Sequence, residues 1–252
     1  MDQPDIRILA DAGELSRVAA VECVRLANEA VGVRGRFTVA LSGGSTPNGV
    51  YGLLADSKAD FRAHVPWDRL HVFWGDERHV PPDHPESNYH MAHEALLARV
   101  PVPPENVHRI PAENPDATQA AEEYAKGLRE FFRLEAGQFP RFDLILLGMG
   151  ADGHTASLFP GTTAVFEETS LVVAPWIEKF KAFRITLTPP VLNHAACVIF
   201  LVSGEEKAET LRAVLQGPYQ PERLPAQLLR PVNGRLLWLV DRAAARLLQT
   251  LA

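Results

Sequence analysis

The sequence predicts an α/β fold, a doubly wound and mostly parallel sheet with helices on both faces. Segments with helical spacing of apolar residues alternate along the chain with short apolar segments typical of strands. Several of these short segments are apolar throughout, which indicates strands buried on both faces of a parallel sheet. Glycine-rich turns follow two of the strands, where open α/β sheets place their binding sites.

The elements follow one another in a regular order. Apolar segments predict strands over residues 6–10, 37–41, 70–74, 142–147, 183–187, 196–202 and 236–240. Helical spacing predicts helices over residues 13–31, 87–99, 116–134 and 205–216, one more beginning near residue 47, and a short helix after the turn that follows residue 147. Pro47 suits the first turn of its helix, with Ser45 or Thr46 as cap, and Ser87 is a good cap for the next helix.

Length and composition predict one globular domain over residues 1–252. The chain has no linker, charge block or internal repeat that would divide it, and 46% of its residues are hydrophobic. The net charge of −6 argues against nucleic acid and anionic membranes as partners, since both favour a positive surface.

The same composition predicts a cytoplasmic protein. The N-terminal residues lack the basic and apolar regions of a secretory signal, and no apolar run approaches the ~18 residues of a membrane helix. Cys23 and Cys197 fit small buried residues in a reducing compartment.

The turn from Ser42 to Pro47 has the composition of an anion site. Gly43 and Gly44 allow the backbone to approach a ligand, Ser45 and Thr46 offer hydroxyl groups, and the following helix directs its amide-rich end at the turn. The alternative is an ordinary strand–helix turn with a cap. The turn lacks the lysine of a P-loop, which disfavours nucleoside triphosphate hydrolysis.

The turn from Gly148 to His154 carries the strongest catalytic candidate. An imidazole with an ordinary pKa near ~6.5 can accept and return a proton at neutral pH. Asp152 either forms a local turn or fixes the imidazole tautomer. The turn also matches G-x-G-x-x-G, with Glu167 placed to bind a ribose, but Asp152 would lie beside the pyrophosphate and the turn lies mid-chain.

Charged residues at other strand ends are further candidates. Asp76 and Arg78 follow the strand 70–74 and belong at the same sheet edge, although a solvated loop is the alternative. Arg184 lies between apolar neighbours in a strand and needs an anionic partner, either a bound phosphate or a structural carboxylate. Lys207 lies at the start of a predicted helix that follows the carboxyl end of a strand. The alternative is that it is an ordinary surface lysine.

The sequence predicts no metal site. His90 and His93 stand three residues apart on a predicted helix, but the stretch matches neither H-E-x-x-H nor H-x-x-E-H and fits a helix surface. No cysteine cluster supports zinc, and no G-x-S-x-G elbow supports a serine hydrolase.

Taken together and in order, these segments resemble the 6-phosphogluconolactonase family, within the wider glucosamine-6-phosphate isomerase/deaminase superfamily. The segments that carry the resemblance are residues 41–47, 74–78, 87–89, 148–161, 184–188 and 204–207. The resemblance implies a Rossmann-like fold of the NagB/RpiA type. It also implies hydrolysis of 6-phospho-D-glucono-1,5-lactone to 6-phospho-D-gluconate, in the oxidative pentose phosphate pathway, without a metal or an organic cofactor.

The resemblance also implies the partners of the chain and the roles of individual residues. The partner would be a small sugar-phosphate lactone, and the chain would act as a monomer or as a weak homo-oligomer. His154 would be the general base. Asp76 and Arg78 would line the site, and either Asp76 or Asp152 would orient the imidazole. Arg78 and backbone amides are the candidate donors to the oxyanion. The phosphate would be bound by Gly43, Gly44, Ser45, Thr46, Arg184 and Lys207.

Two alternatives come from the same superfamily. A glucosamine-6-phosphate deaminase usually has Asp-Glu-Tyr where this chain has Asp76-Glu77-Arg78, and an Ile-Ala-Phe-Asn-Glu-Pro-like stretch where this chain has Thr155–Pro160. Both differences favour the lactonase. A non-catalytic sugar-phosphate sensor would tolerate loss of the base, whereas His154 is present here, and it would normally carry a DNA-binding segment, for which we find no length or basic stripe.

Overall fold

A computed structural model describes residues 5–249 of the chain. The strands are β1 Asp5–Leu9, β2 Phe37–Leu41, β3 Leu70–Trp74, β4 Asp76–Arg78, β5 Leu144–Gly148, β6 Val172–Val173, β7 Trp176–Ile177, β8 Ala182–Leu187, β9 Cys197–Val202 and β10 Arg235–Asp241. The α-helices are α1 Ala12–Arg34, α2 Ser45–Ala55, α3 Asn88–Ala95, α4 Ala117–Phe132, α5 Pro189–Asn193, α6 Ala208–Gln216 and α7 Arg242–Ala245.

Six strands form one parallel sheet in the order β1-β10-β9-β5-β2-β3. The predicted doubly wound α/β fold is confirmed. From β2, the chain first adds β3 on one side and later adds β5 on the other, so the order reverses at the β2–β5 pair. Such a reversal leaves a crevice at the carboxyl ends of the two strands. The turns that follow β2 and β5 are the two glycine-rich turns singled out in the sequence.

A second, antiparallel sheet lies beside this crevice. Strand β8 pairs with β4, β6 and β7, so the segment predicted as strand 183–187 belongs to this small sheet and not to the parallel one. Gly75 joins the two sheets, because its amide donates to Leu41 at the end of β2 and its carbonyl accepts from Leu187 in β8. The small sheet therefore holds β4 against the crevice.

Most remaining elements agree with the sequence predictions, and the differences concern helix ends and one short helix. The predicted helix 205–216 begins with a 3₁₀ turn, Glu205–Lys207, before α6, and the predicted cap of α2 at Ser45 or Thr46 is wrong because its N-cap is Gly44. The short helix predicted after β5 is wrong: residues 149–162 form successive turns, and only a single 3₁₀ turn, Thr163–Phe166, follows. Helix α3 ends at Ala95, and the rest of the predicted helix is a separate 3₁₀ turn, Leu97–Arg99. Ser87 caps α3 as predicted, accepting a hydrogen bond from the amide of His90.

The core fills both sides of the parallel sheet. Its largest fully buried side chains include Trp74, Tyr51, Phe37 and Trp238, and Phe200 stacks on Trp238 with ring centres 3.8 Å apart. Cys23 and Cys197 are both buried and unbonded, as the sequence predicts. No helix in the described part of the chain is long and apolar enough to span a membrane.

Candidate active site

A cleft of about 280 Å³ opens at the carboxyl ends of the central strands. Its walls come from the turns after β2, β5 and β9, from β4, and from the start of α3. The predicted site residues that line it are Gly43, Gly44, Ser45, Thr46, Asp76, Arg78, His154 and Lys207. Asp152 and Arg184 lie outside this lining. Asp152 contacts His154, and Arg184 lies opposite Arg78 on the neighbouring strand.

The turn after β2 is held open by backbone geometry. Gly44 has a φ of +108°, which favours glycine, and a Cβ on Gly43 would lie 1.9 Å from the Asn88 amide oxygen. Tyr51 fixes Ser42, the residue before these two glycines. The Tyr51 hydroxyl accepts a hydrogen bond from the Ser42 amide and donates one to the Ser42 carbonyl. Helix α2 begins at Ser45 without a side-chain cap among the described residues, so its first amides point at the cleft as an anion site.

The turn after β5 presents His154 to the cleft with its ring orientation fixed. Nδ1 of His154 donates to Asp152 Oδ1, and the ring stacks on Phe159 with centres 4.0 Å apart. A Cβ on Gly150 would lie 2.1 Å from the imidazole, so only glycine fits beneath it. Because Nδ1 is engaged by a carboxylate, Nε2 is the ring atom that can exchange a proton in the cleft.

The carboxylate of Asp152 is strongly stabilised as an anion. The hydrogen bond from His154 is the largest influence that holds the pKa of Asp152 well below its usual range, and burial opposes it. A second, weaker contribution comes from Lys179, whose Nζ lies 3.2 Å from Oδ2. Asp152 therefore stays charged across the working pH range, and its charge faces the imidazole.

Asp76 lies in the same cleft but bonds to other groups. Ser157 Oγ donates to its Oδ2 at 2.6 Å, and Asn88 Nδ2 donates to its Oδ1 at 3.3 Å. Of the two carboxylates that the sequence offered as partners of His154, Asp152 is the one in contact with the ring. Asp76 is only 7% exposed and directs a buried negative charge at one wall of the cleft.

Two arginines meet at the edge of the cleft. Arg78 lines it and donates from Nη1 to the Glu86 carbonyl at 2.7 Å. Arg184 lies opposite Arg78 on β8, and its guanidinium lies 5.1 Å from the ring centre of Phe180. The register thus places Arg184 beside Arg78 on the neighbouring strand, and Lys207 lines the cleft together with Glu206.

The turn that carries Lys207 is anchored by a buried carboxylate. Asp241, 5% exposed at the end of β10, accepts from Ser203 Oγ at 2.5 Å and from the Gly204 amide. Its other oxygen accepts from the amide of Ala244 and caps α7. Asp241 therefore ties the Lys207 turn to the neighbouring strand.

Comparison with known proteins decides the family. The family model of glucosamine-6-phosphate isomerases/6-phosphogluconolactonase matches residues 10–238. The chain belongs to this family. Both glycine-rich turns, β4, the Asn88 segment and the Lys207 turn lie within the matched residues, so the family match covers the whole cleft.

Individual members of the glucosamine-6-phosphate isomerase/6-phosphogluconolactonase family match over nearly their full length. The 6-phosphogluconolactonase of Synechocystis is 42% identical over 96% of this chain and 97% of the relative, and the human 6-phosphogluconolactonase is 40% identical over 96% and 93%. The solved structure of 6-phosphogluconolactonase from Trypanosoma brucei is 31% identical, with a TM-score of 0.85 over 99% of this chain and 100% of that one.

Several residues that line or support this cleft have no role predicted from the sequence. They are Ser42, Asn88, Ser157, Lys179, Glu206 and Asp241. Asp241 had a usable signal, because it is an acid directly after an apolar strand at the same sheet edge. Lys179 had none, since its contact depends on how a distant hairpin packs. Among the described residues, no group of three or more His, Cys, Asp or Glu side chains could hold a metal ion.

Proposed function

We propose that this chain is a 6-phosphogluconolactonase, which hydrolyses 6-phospho-D-glucono-1,5-lactone to 6-phospho-D-gluconate in the oxidative pentose phosphate pathway. The observation that carries the proposal is the shared cleft: an imidazole oriented by Asp152 faces the same space as the uncapped start of α2 and Lys207. The start of α2 and Lys207 suit a phosphate, and the imidazole can accept and return a proton. The full-length relatives named 6-phosphogluconolactonase support the same assignment.

The phosphate site is assigned to the turn after β2 and to Lys207. Amides and hydroxyls of Gly44, Ser45 and Thr46 would donate to the phosphate oxygens, and the positive end of α2 would favour its charge. Lys207, which lines the same cleft, would neutralise part of that charge. Binding energy at this end then places C1 of the lactone near His154.

The hydrolytic step is assigned to His154 as general base. Nε2 takes a proton from a water molecule as the water oxygen attacks C1, and the carbonyl electron pair moves onto oxygen. Arg78 and backbone amides of the two turns are the donors for this oxyanion. When the tetrahedral intermediate collapses, the C1–ring oxygen bond breaks and the imidazolium returns its proton to the ring oxygen. Asp152 stabilises the imidazolium throughout.

Asp76 is assigned to substrate binding rather than to orientation of the His154 ring. Its oxygens already accept from Ser157 and Asn88, which fixes the carboxylate in the cleft wall. A fixed carboxylate suits the hydroxyl groups of a sugar, since each hydroxyl can donate to it. We also propose a single-domain, cytoplasmic enzyme that acts without metal or organic cofactor, as a monomer or weak homo-oligomer.

The activity test offers the purified chain freshly prepared 6-phosphogluconolactone and, separately, glucosamine 6-phosphate. Acid release above the spontaneous rate supports the lactonase, whereas ammonia release would identify a deaminase and overturn the proposal. His154→Asn should lower kcat by about 10²–10⁴-fold with little change in KM. His64→Asn, at an exposed histidine, is the matched control. Loss of activity with a chelator would contradict the metal-free assignment.

A further inference from the structure

The hairpin between β7 and β8 reaches the turn that carries His154. Its tip is residues 178–181, which join the two strands. Lys179 Nζ donates to Asp152 Oδ2 at 3.2 Å, while the other oxygen of the same carboxylate accepts from His154 Nδ1. A lysine 27 residues away in sequence is thus linked to the imidazole through one carboxylate.

A second contact fixes the same tip against the same turn. Phe180 packs edge-on against Phe159 with ring centres 5.7 Å apart, and Phe159 stacks on His154. The ammonium of Lys179 lies 5.5 Å from the ring centre of Phe180, within reach of a cation–π interaction. The two contacts together hold Lys179 where its charge acts on Asp152.

We propose that Lys179 is a positioning residue that controls how readily His154 takes up a proton, acting through Asp152. The reasoning rests on the proposed function, because there the free imidazole is the general base. The positive charge of Lys179 competes with the imidazolium for the same carboxylate. Without Lys179, Asp152 stabilises the protonated ring more strongly, and less free base is present at a given pH.

If Lys179 served only as a structural salt bridge, its replacement would leave the pH profile unchanged. Lys179 has a side chain 64% exposed, and exposed ion pairs contribute little to stability. Replacing Lys179 should therefore leave the unfolding transition nearly unchanged. An effect confined to the pH profile separates a role at the imidazole from a role in folding.

Other charged groups line the same cleft as His154 or contact its ring, and they also influence its protonation. From β4, from the turn after β9 and from its own turn, they are Asp76, Arg78, Glu206, Lys207 and Asp152. None of them belongs to the hairpin tip, so a change at Lys179 leaves them in place. Lys181, on the same tip, has no salt bridge among the described residues and provides a matched control for loss of one charge.

The experiment compares Lys179→Gln, Lys179→Arg and Lys181→Gln with the unaltered chain. In Lys179→Gln, the midpoint of the acidic limb of the kcat/KM profile should move up by about 0.5–1 pH unit, which lowers kcat/KM below that midpoint about three- to tenfold. Lys179→Arg should keep the original profile and Lys181→Gln should match it. High salt should shrink the difference, because the lysine is exposed.

A second readout does not depend on turnover. Titration of the His154 ring by NMR in the free protein, assigned with the His154→Asn variant, should show the same upward shift in Lys179→Gln. Unchanged NMR and kinetic midpoints in that variant, or an equal shift in Lys181→Gln, would overturn the proposal. If no lactonase activity is found, the NMR titration still decides the role of Lys179, so the two failures are distinguishable.

Discussion

Arg78 and Arg184 lie directly opposite each other on the antiparallel strands β4 and β8. Among residues 5–249, neither guanidinium forms a salt bridge with a carboxylate, and the arginine ion pairs of the chain lie elsewhere. Burial, and then the positive charge of Arg78, lower the pKa of Arg184. The nearby carboxylates of Asp76, Glu86 and Glu77 oppose this lowering but form no salt bridge with either arginine. Two neighbouring half-buried cations without a direct ion pair favour a bound anion at this edge of the cleft.

Replacement of Arg184 tests whether the substrate phosphate also reaches this pair of arginines, in addition to the turn after β2 and Lys207. Hydrogen bonds to charged groups contribute about 1.5–3 kcal/mol, so Arg184→Gln should raise KM about tenfold or more. Initial rates across lactone concentrations, corrected for spontaneous hydrolysis, give KM and kcat. Arg242→Gln, at an exposed arginine on α7, should change neither. A fall in kcat at unchanged KM would instead place Arg184 with the reacting end of the substrate.

Asp241 provides a test of the Lys207 turn. Asp241→Ala removes the acceptor for Ser203 and the Gly204 amide as well as the cap of α7, so the turn should loosen and KM should rise several-fold. Loss of a helix cap alone costs about 1 kcal/mol of stability. Urea unfolding and steady-state kinetics measure the two effects separately.

The control for Asp241 is another helix cap. Asp116 caps α4 by accepting from the amides of Thr118 and Gln119, and it is exposed outside the cleft lining. Asp116→Ala should lose comparable stability without a change in KM. Equal kinetic effects in both variants would show that Asp241 acts only through folding.

Local sequence patterns predicted the parts of the fold that depend on nearby residues. The strands Phe37–Leu41 and Leu70–Trp74 were predicted to the residue, because each apolar run is bounded by polar residues or glycine. Asp152 and His154 stand two residues apart, so their contact was among the predicted alternatives. The turns after β2 and β5 were placed at one sheet edge because parallel strands end together.

The parts that the sequence did not predict depend on distant pairing. Strand β8 pairs with β4 about a hundred residues earlier, so its apolar pattern alone could not separate it from the parallel sheet. Arg184 consequently lies beside Arg78 on the small sheet and outside the cleft lining. The contacts of Lys179 and Asp241 span 27 and 38 residues, and a single sequence has no periodic signal for them.

Glu77 supplies a prediction about the segment between β4 and α3. Its carboxylate, 2% exposed, accepts from the amides of Arg78, Asn88 and Tyr89 and from Ser87 Oγ. An amide side chain would direct donor hydrogens at these donors, so Glu77→Gln should destabilise the fold by about 1–3 kcal/mol. Because Arg78 and Asn88 both line the cleft, kcat/KM should fall as well.

Thermal unfolding and steady-state rates check the Glu77 prediction below the transition temperature of the variant. Glu94→Gln, at an exposed glutamate on α3, is the matched control and should change neither quantity. Normal kinetics in a destabilised Glu77→Gln protein would show that the four hydrogen bonds support the fold and leave the cleft geometry unaffected.

His71 and His108 provide a prediction about acid stability. Their rings stack beside Phe73 at the edge of the parallel sheet, with His71 Nδ1 and His108 Nε2 3.3 Å apart. Burial, and then His71, lower the pKa of His108 from 6.5 to about 4. Between these values the unfolded chain binds a proton that the folded chain does not, so stability falls as pH decreases from about 6.5 towards 4.

The loss due to His108 should be on the order of 1–3 kcal/mol, with the upper value a limit because the ring is only partly buried. Urea unfolding at pH steps from 7.5 to 4.5 measures it. His108→Gln removes the titrating group, so its stability should depend less on pH than that of the unaltered chain. His64→Gln, at an exposed histidine, should retain the full dependence. Parallel curves for all three proteins would show that other groups, chiefly carboxylates, control acid unfolding.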